Sequence, residues 1–210
     1  MATGFHTLSG RREDAQVENG RNLIMEVKAS SSKTTKLVTA AVIAAAYAVL
    51  TMFLAPISYG AIQCRISEAL CVLPFFFPPA AGGLFVGCLI ANLISTAGIL
   101  DIVFGPLATL LACLCTAAIG KGYRSSRNSP QWEQSGAEMS WMSCILACAM
   151  PVVFNGPIIG AILAVMFPLD GGFWLSFLIF GAEVMAGEAV VMFVLGLPLM
   201  RGIARLNFFK

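Results

Sequence analysis

The stretch RISEALCVLPFFFPP, residues 65–79, decides the fold, because the number of membrane segments depends on how it is interpreted. Its apolar run, 66–77, is shorter than the roughly 20 residues that a helix needs to cross a bilayer upright. Pro78 and Pro79 follow the run, so it is typical of a short or half-buried helix whose ends are set by proline. Counting it gives six segments, and omitting it gives five.

The other apolar runs are long enough to cross a membrane. They lie at 37–57, 80–97, 101–120, 141–167 and 173–199. The chain is 58% hydrophobic and only 11% charged, whereas soluble domains carry about a quarter charged residues. The sequence therefore predicts an all-α integral membrane protein.

Basic residues decide between five and six segments through the positive-inside rule. With six segments and a cytosolic N-terminus, every Lys and Arg except Arg65 lies on the cytosolic side, in residues 1–36, 121–140 or 201–210. Five segments would place the 121–140 loop and the C-terminus on the other side and break this pattern. We therefore predict six transmembrane helices with both termini in the cytosol.

The chain then divides into an N-terminal arm, 1–36, a membrane domain, 37–200, with a polar cytosolic loop at 121–140, and a cytosolic tail, 201–210. The arm is polar and lacks an apolar core of the length that a secretory signal needs, so we expect it to be disordered. Met25 is an alternative native start, which would make residues 1–24 non-native.

Composition also limits the chemistry that the chain can carry out. A net charge of +2 is too small to indicate nucleic acid as a partner. The seven cysteines include no CxxC pair, and cysteine inside apolar segments behaves as a small hydrophobic residue. The single histidine, His6, lies in the arm, which disfavours most metal and general-base chemistry. We therefore predict no enzyme activity, no metal and no cofactor.

Polar residues around the second segment are candidates for a solute site. Arg65 and Glu68 are three residues apart, so they could pair only with each other and stabilise the start of the helix. Alternatively, this cluster, which includes Gln63, binds a polar solute beneath the preceding loop. Asp101 is either a helix N-cap or a further ligand.

Other polar residues lie at or inside the predicted spans, where they normally face a partner or a wet cavity. Asn155 is flanked by Pro151 and Pro157, which can leave backbone carbonyls free. Glu183 and Glu188 are five residues apart and so point in different directions; Glu183 is the better ligand candidate, and Glu188 is expected to make an internal hydrogen bond or face a partner. The predicted substrate-binding residues are Gln63, Arg65, Glu68, Asn92, Asp101, Asn155 and Glu183.

Small residues at helical spacing form a stripe on the first predicted helix. Such stripes let helix backbones approach closely in a membrane, so this one indicates either packing within the bundle or a docking face for a partner subunit. The GxxxG pairs at 83–87 and 156–160 are predicted to pack internally. The residues assigned to docking are Ala41, Ala44, Ala45 and Ala48.

Four motifs resemble the QueT family of substrate-binding S components of energy-coupling-factor (ECF) transporters, assigned to queuosine precursors. They are RISEAL at 65–70, LPFFFP at 73–78, GLFVGCLIAN at 83–92 and LDIVFGPLATLLA at 100–112. The resemblance covers most of residues 36–200. It implies a compact bundle of six transmembrane helices in the bacterial plasma membrane, with an outward-facing pocket capped by the first loop.

The resemblance also implies partners and a cargo. The partners are a transmembrane scaffold subunit, which the alanine stripe would dock, and two cytosolic ATPases; this chain has no GxxxxGK[ST] phosphate loop of its own. The cargo is a 7-deazaguanine, whose guanine-like edge has adjacent N–H donors and a carbonyl. Glu68 or Glu183 would accept from the donors, an amide side chain would satisfy the carbonyl, and Asp101 would suit a cationic aminomethyl group.

Three alternatives differ in class. The first is an S component for another vitamin-like solute. The second is a stand-alone transporter that uses Glu183 or Glu188 for proton coupling, although six segments without an evident repeat are few for alternating access. The third is an intramembrane enzyme, which lacks support because the membrane segments contain no histidine.

Overall fold

The computed structural model describes residues 32–54, 65–93, 98–127 and 139–206. The chain divides into two compact units, Met1–Thr39 and Ala40–Lys210. In the first unit, the described residues form the beginning of a helix. All contacts reported below lie within the second unit.

Every regular element among the described residues is helical. Four helices are long and apolar enough to cross a membrane, and two apolar helices, Ile66–Phe76 and Ala80–Asn92, are shorter. The last long helix runs from Gly172 to Arg205 and contains a π-helical turn. In chain order the elements are α1 (Ser32–Phe53), a 3-10 helix (Ile66–Val72), α2 (Leu73–Phe76), α3 (Ala80–Asn92), α4 (Gly98–Arg127), α5 (Trp141–Met166), α6 (Gly172–Val191), the π-turn (Met192–Gly196) and α7 (Leu197–Leu206).

Within the described residues, each of the six predicted segments corresponds to helix, but several boundaries differ from the prediction. Helix α1 begins at Ser32, inside the predicted arm, and α4 continues to Arg127, seven residues into the predicted loop at 121–140. Lysine and arginine are good helix formers, and their long side chains can keep their charges in water while the helix continues. A polar composition therefore marks the edge of the apolar core and not the end of the helix.

Polar contacts bring three helix ends together at one end of the bundle. Thr51, near the end of α1, shares a hydrogen bond of 2.6 Å with Ser67, near the start of the 3-10 helix. Arg65, just before that helix, pairs with Asp101 in the first turn of α4. We call this the Arg65 end.

The opposite end, here the Arg124 end, is held by two arginines. Arg124 of α4 donates to the carbonyl of Phe75, near the end of α2, and to that of Ala117 at 2.8 Å. The Arg201 guanidinium of α7 lies 3.2 Å from the centre of the Trp141 ring, at the start of α5. Successive segments therefore alternate in direction between the two ends.

Proline accounts for one contact between α4 and α5. Pro151 lacks an N–H, so the carbonyl of Ala147, four residues earlier, has no helical donor. The hydroxyl of Thr116 donates to this carbonyl at 3.4 Å. The prediction that the prolines of this segment free a backbone carbonyl is consistent with this contact.

Glycines allow two close helix contacts. A Cβ on Gly83 would lie 2.3 Å from the carbonyl oxygen of Ala40, and one on Gly87 would lie 2.6 Å from that of Ala44. Between α5 and α6, a Cβ on Gly160 would lie 2.5 Å from the Cα of Gly181. The GxxxG pairs at 83–87 and 156–160 therefore pack internally, as predicted.

The π-turn interrupts the last long helix next to the 3-10 helix. A Cβ on Gly196, at the end of the π-turn, would lie 3.4 Å from Val72 Cγ1. Met192, which begins the π-turn, is fully buried. Single π-turns inside α-helices often occur near functional sites, and this one follows Glu188 by one helical turn.

Candidate functional site

The Arg65 end contains a buried ion pair. Arg65 Nη2 donates to Asp101 Oδ2 at 3.1 Å, and both side chains are buried. Asn92, the last residue of α3, is fully buried and donates to the backbone carbonyl of Asp101 at 2.9 Å. Three predicted site residues from different segments therefore meet at this point.

These contacts decide two alternatives that the sequence left open. Arg65 pairs with Asp101, so the interpretation that Arg65 and Glu68 pair only with each other is wrong. Asp101 lies inside the first turn of α4, which begins at Gly98, and its carboxylate accepts from Arg65. It is therefore not the N-cap of that helix.

Glu68 joins three segments through its carboxylate. Its Oε1 accepts from the hydroxyl of Tyr47 on α1 and, at 3.3 Å, from that of Thr109 on α4. Its Oε2 accepts from the thiol of Cys71 at 2.9 Å. The side chain is fully buried, and these donors satisfy both carboxylate oxygens.

Sequence reasoning missed Tyr47 and Thr109. Tyr47 lies in the middle of an apolar helix, and a buried tyrosine hydroxyl usually has a hydrogen-bond partner. That expectation predicts a hydrogen-bond partner for the Tyr47 hydroxyl. It does not identify Glu68, 21 residues further along the chain, as the partner.

Asn155 and Glu188 form a second buried pair, between α5 and α6. Asn155 Nδ2 donates to Glu188 Oε1 at 2.9 Å. Asn155 is 4% exposed and Glu188 is 2% exposed. The prediction that Glu188 makes an internal hydrogen bond is consistent with this contact, and its partner is another predicted site residue.

The two groups of polar residues lie on elements that pack together. The 3-10 helix, which carries Glu68, packs against α5 and α6, which carry Asn155 and Glu188. The charged side chains buried among the described residues are Arg65, Glu68, Asp101 and Glu188. Three carboxyl groups against one guanidinium make a site rich in acceptors, which suits a ligand rich in N–H donors or carrying a positive charge.

Two predicted substrate-binding residues lie elsewhere. Glu183 is on an exposed face of α6, so the structure does not bring it to the buried cluster. Gln63 is outside the described residues. The predicted difference in direction between Glu183 and Glu188 agrees with the exposure of the first and the burial of the second.

The alanine stripe divides into two faces. Ala44 and Ala48 are buried within this bundle, so a partner cannot reach them in this conformation. Ala41 and Ala45 are exposed on α1. Only these two of the four predicted docking residues are accessible to another protein.

The described part of the chain contains no group of three or more His, Cys, Asp and Glu side chains arranged to hold a metal ion.

Comparison with known proteins identifies the family. The model of the QueT transporter family matches residues 37–205. The queuosine precursor transporter QueT of Lactococcus lactis subsp. cremoris (strain MG1363) is 43% identical to this chain over 82 residues, which are 38% of this chain and 48% of that protein. The match thus spans about half the length of that relative. No solved structure matches the chain. Because the family model covers most of the membrane domain, the chain belongs to the QueT transporter family.

Proposed function

We propose that this chain is the substrate-binding membrane subunit of an ECF-type importer, and that its cargo is a queuosine precursor of the 7-deazaguanine class. Membership of the QueT transporter family carries the proposal. The partial similarity to a protein named as a queuosine precursor transporter supports the cargo.

The buried polar cluster is the proposed binding site. Arg65, Asn92 and Asp101 form its part at the Arg65 end, and Asn155 and Glu188 form its part between α5 and α6. Gln63 and Glu183 stay predictions as further ligands. A guanine-like base has several N–H donors, and buried acceptors without such a ligand are costly.

The proposed topology has six membrane segments and both termini in the cytosol of a bacterial cell. The alternation of helix directions supports it, because Arg124 and Arg201 lie at the end opposite to Arg65. With the Arg124 end in the cytosol, the Arg65 end of the site faces the outside of the cell, as an importer requires.

Equilibrium binding to the purified protein tests the cargo. We expect tight binding of aminomethyl- and cyano-substituted 7-deazaguanine, and much weaker binding of riboflavin. Because carboxyl groups outnumber cations in the cluster, the cationic aminomethyl form should bind about tenfold or more tightly than the neutral cyano form. Failure to bind either deazaguanine would contradict the proposal.

The proposed partners are a transmembrane scaffold subunit and two cytosolic ATPases, docked through the exposed part of the alanine stripe. Replacing Ala41 and Ala45 together by leucine should weaken capture of these partners by about tenfold or more, because bulky side chains prevent close helix approach. Co-purification measures the effect, and ligand affinity should not change.

Ala46→Leu is the matched control for this experiment. Ala46 is also exposed on α1 but points about 100° away from Ala45 around the helix. It should leave capture intact. Equal loss of partners in the control and in the double variant would contradict a specific docking face.

A proton-coupled transporter is the second candidate, and Glu188 is the observation that favours it. This buried carboxyl has a neutral amide as its hydrogen-bond partner, and intramembrane carboxyl groups of this kind serve as proton relays in transporters. Uptake by the chain alone in liposomes under a pH gradient would support this candidate and contradict the need for ATPases.

A further inference from the structure

The buried carboxylates of the site differ in how many of their acceptor positions the protein already uses. Glu68 is occupied on both oxygens by Tyr47, Thr109 and Cys71. A ligand that bonded to Glu68 would have to compete with these donors. Glu68 is therefore better suited to holding α1, the 3-10 helix and α4 together than to binding a base.

Asn155 and Glu188 are different, because their mutual hydrogen bond uses one terminal atom of each. Asn155 Nδ2 donates to Glu188 Oε1. The second terminal atom of each side chain, Asn155 Oδ1 and Glu188 Oε2, takes no part in this bond. Neither of these oxygens has a hydrogen-bond partner among the described residues. Both side chains are at least nine-tenths buried, and buried acceptors are normally satisfied.

We propose that Asn155 Oδ1 and Glu188 Oε2 together accept the two adjacent N–H donors of the base, its ring N–H and its 2-amino group. The inference rests on the proposed function, since it assumes a guanine-like ligand. The two acceptors belong to side chains that a hydrogen bond joins, and the two donors are adjacent on the base. Glu188 thereby takes the role that the sequence suggested for Glu68 or Glu183.

This arrangement makes the 2-amino group the determinant of specificity. A base without it leaves one buried acceptor unpaired, and a site built to hydrogen-bond a substrate group discriminates against the analogue that lacks the group. Wild-type protein should therefore bind 7-deazaguanine about 10- to 100-fold more tightly than 7-deazahypoxanthine, which lacks only that amino group.

The Glu188→Gln variant tests the acceptor pair, because glutamine has almost the same shape as glutamate. The glutamine carbonyl can keep the bond from Asn155 Nδ2, so the glutamine amide must take the place of Oε2. A donor would then face the donors of the base. Affinity for 7-deazaguanine should fall about 10- to 100-fold, and the preference over 7-deazahypoxanthine should disappear.

Three further variants complete the experiment. Thr116→Val is the control, because it removes a different buried hydrogen bond to α5 and should keep the preference. Glu68→Gln and Glu183→Gln test the two competing assignments. If either abolishes the preference while Glu188→Gln retains it, the inference is overturned.

Two measurements keep this result separate from the proposed function. If wild-type protein binds no deazaguanine, the proposed function fails. If it binds 7-deazaguanine and 7-deazahypoxanthine equally well, only the acceptor pair fails, and this outcome needs no variant to fold. Calorimetric titration of both bases into wild-type protein distinguishes these cases.

Discussion

Replacing Asp101 by alanine should lower the free energy of unfolding by about 3–5 kcal/mol, because it breaks a buried ion pair and leaves the other charge in place. The pair joins the start of the 3-10 helix to the first turn of α4, with the Arg65 and Asp101 side chains 7% and 1% exposed. Unfolding in detergent micelles, followed by circular dichroism, measures the loss.

Two comparisons show whether the charge pair is responsible. Asp170→Ala makes the same substitution at an exposed site, where changes usually stay within about 0.5 kcal/mol. The double variant Arg65→Met, Asp101→Leu removes both charges and should regain much of the stability. A loss for Asp101→Ala below about 1 kcal/mol, as for an exposed pair, would contradict the buried pairing.

Alanine substitutions at two neighbouring glycines of α3 should change the stability of the protein in opposite directions. Gly83→Ala should destabilise the protein by about 1–3 kcal/mol, because its Cβ would lie 2.3 Å from the Ala40 carbonyl oxygen and force α1 away from α3. Gly82 is exposed, and a Cβ there would meet nothing within 4 Å. Gly82→Ala should therefore stabilise the helix by up to about 1 kcal/mol.

The same unfolding measurement compares the two variants directly. Both remove one glycine from the same helix, so the difference in helix propensity cancels between them. What remains is the contact with α1. Equal stabilisation by both substitutions would show that α1 does not pack against Gly83.

Apolar patterning was enough to find the helical segments but not their ends. The described part of each predicted run is mainly helical, because a run of apolar residues bounded by polar ones is a local property. The ends were missed where polar residues continue the helix, as at 121–127. Backbone hydrogen bonding persists there although the side chains are no longer apolar.

The sequence was enough to predict several residues of the site but not their ion-pair and hydrogen-bond partners. Burial of Arg65, Glu68 and Asp101 follows from their positions in or beside apolar runs. Their partners come from other segments, such as the 36 residues that separate Arg65 from Asp101. Spacing along one helix therefore suggested Glu68 as the partner of Arg65. In the folded bundle, Arg65 pairs with Asp101 of another segment instead.

The π-turn has a consequence for the angular alignment of the last long helix. Val184, Glu188, Met192, Gly196 and Met200 are all buried and recur every four residues. In an uninterrupted α-helix each such step overshoots a full turn by about 40°, so Met200 would lie about 160° around the axis from Val184. The extra residue of the π-turn takes up about 100° of this drift. The same face of the helix can therefore point inward both at Glu188, in the core, and at Met200, near the Arg124 end.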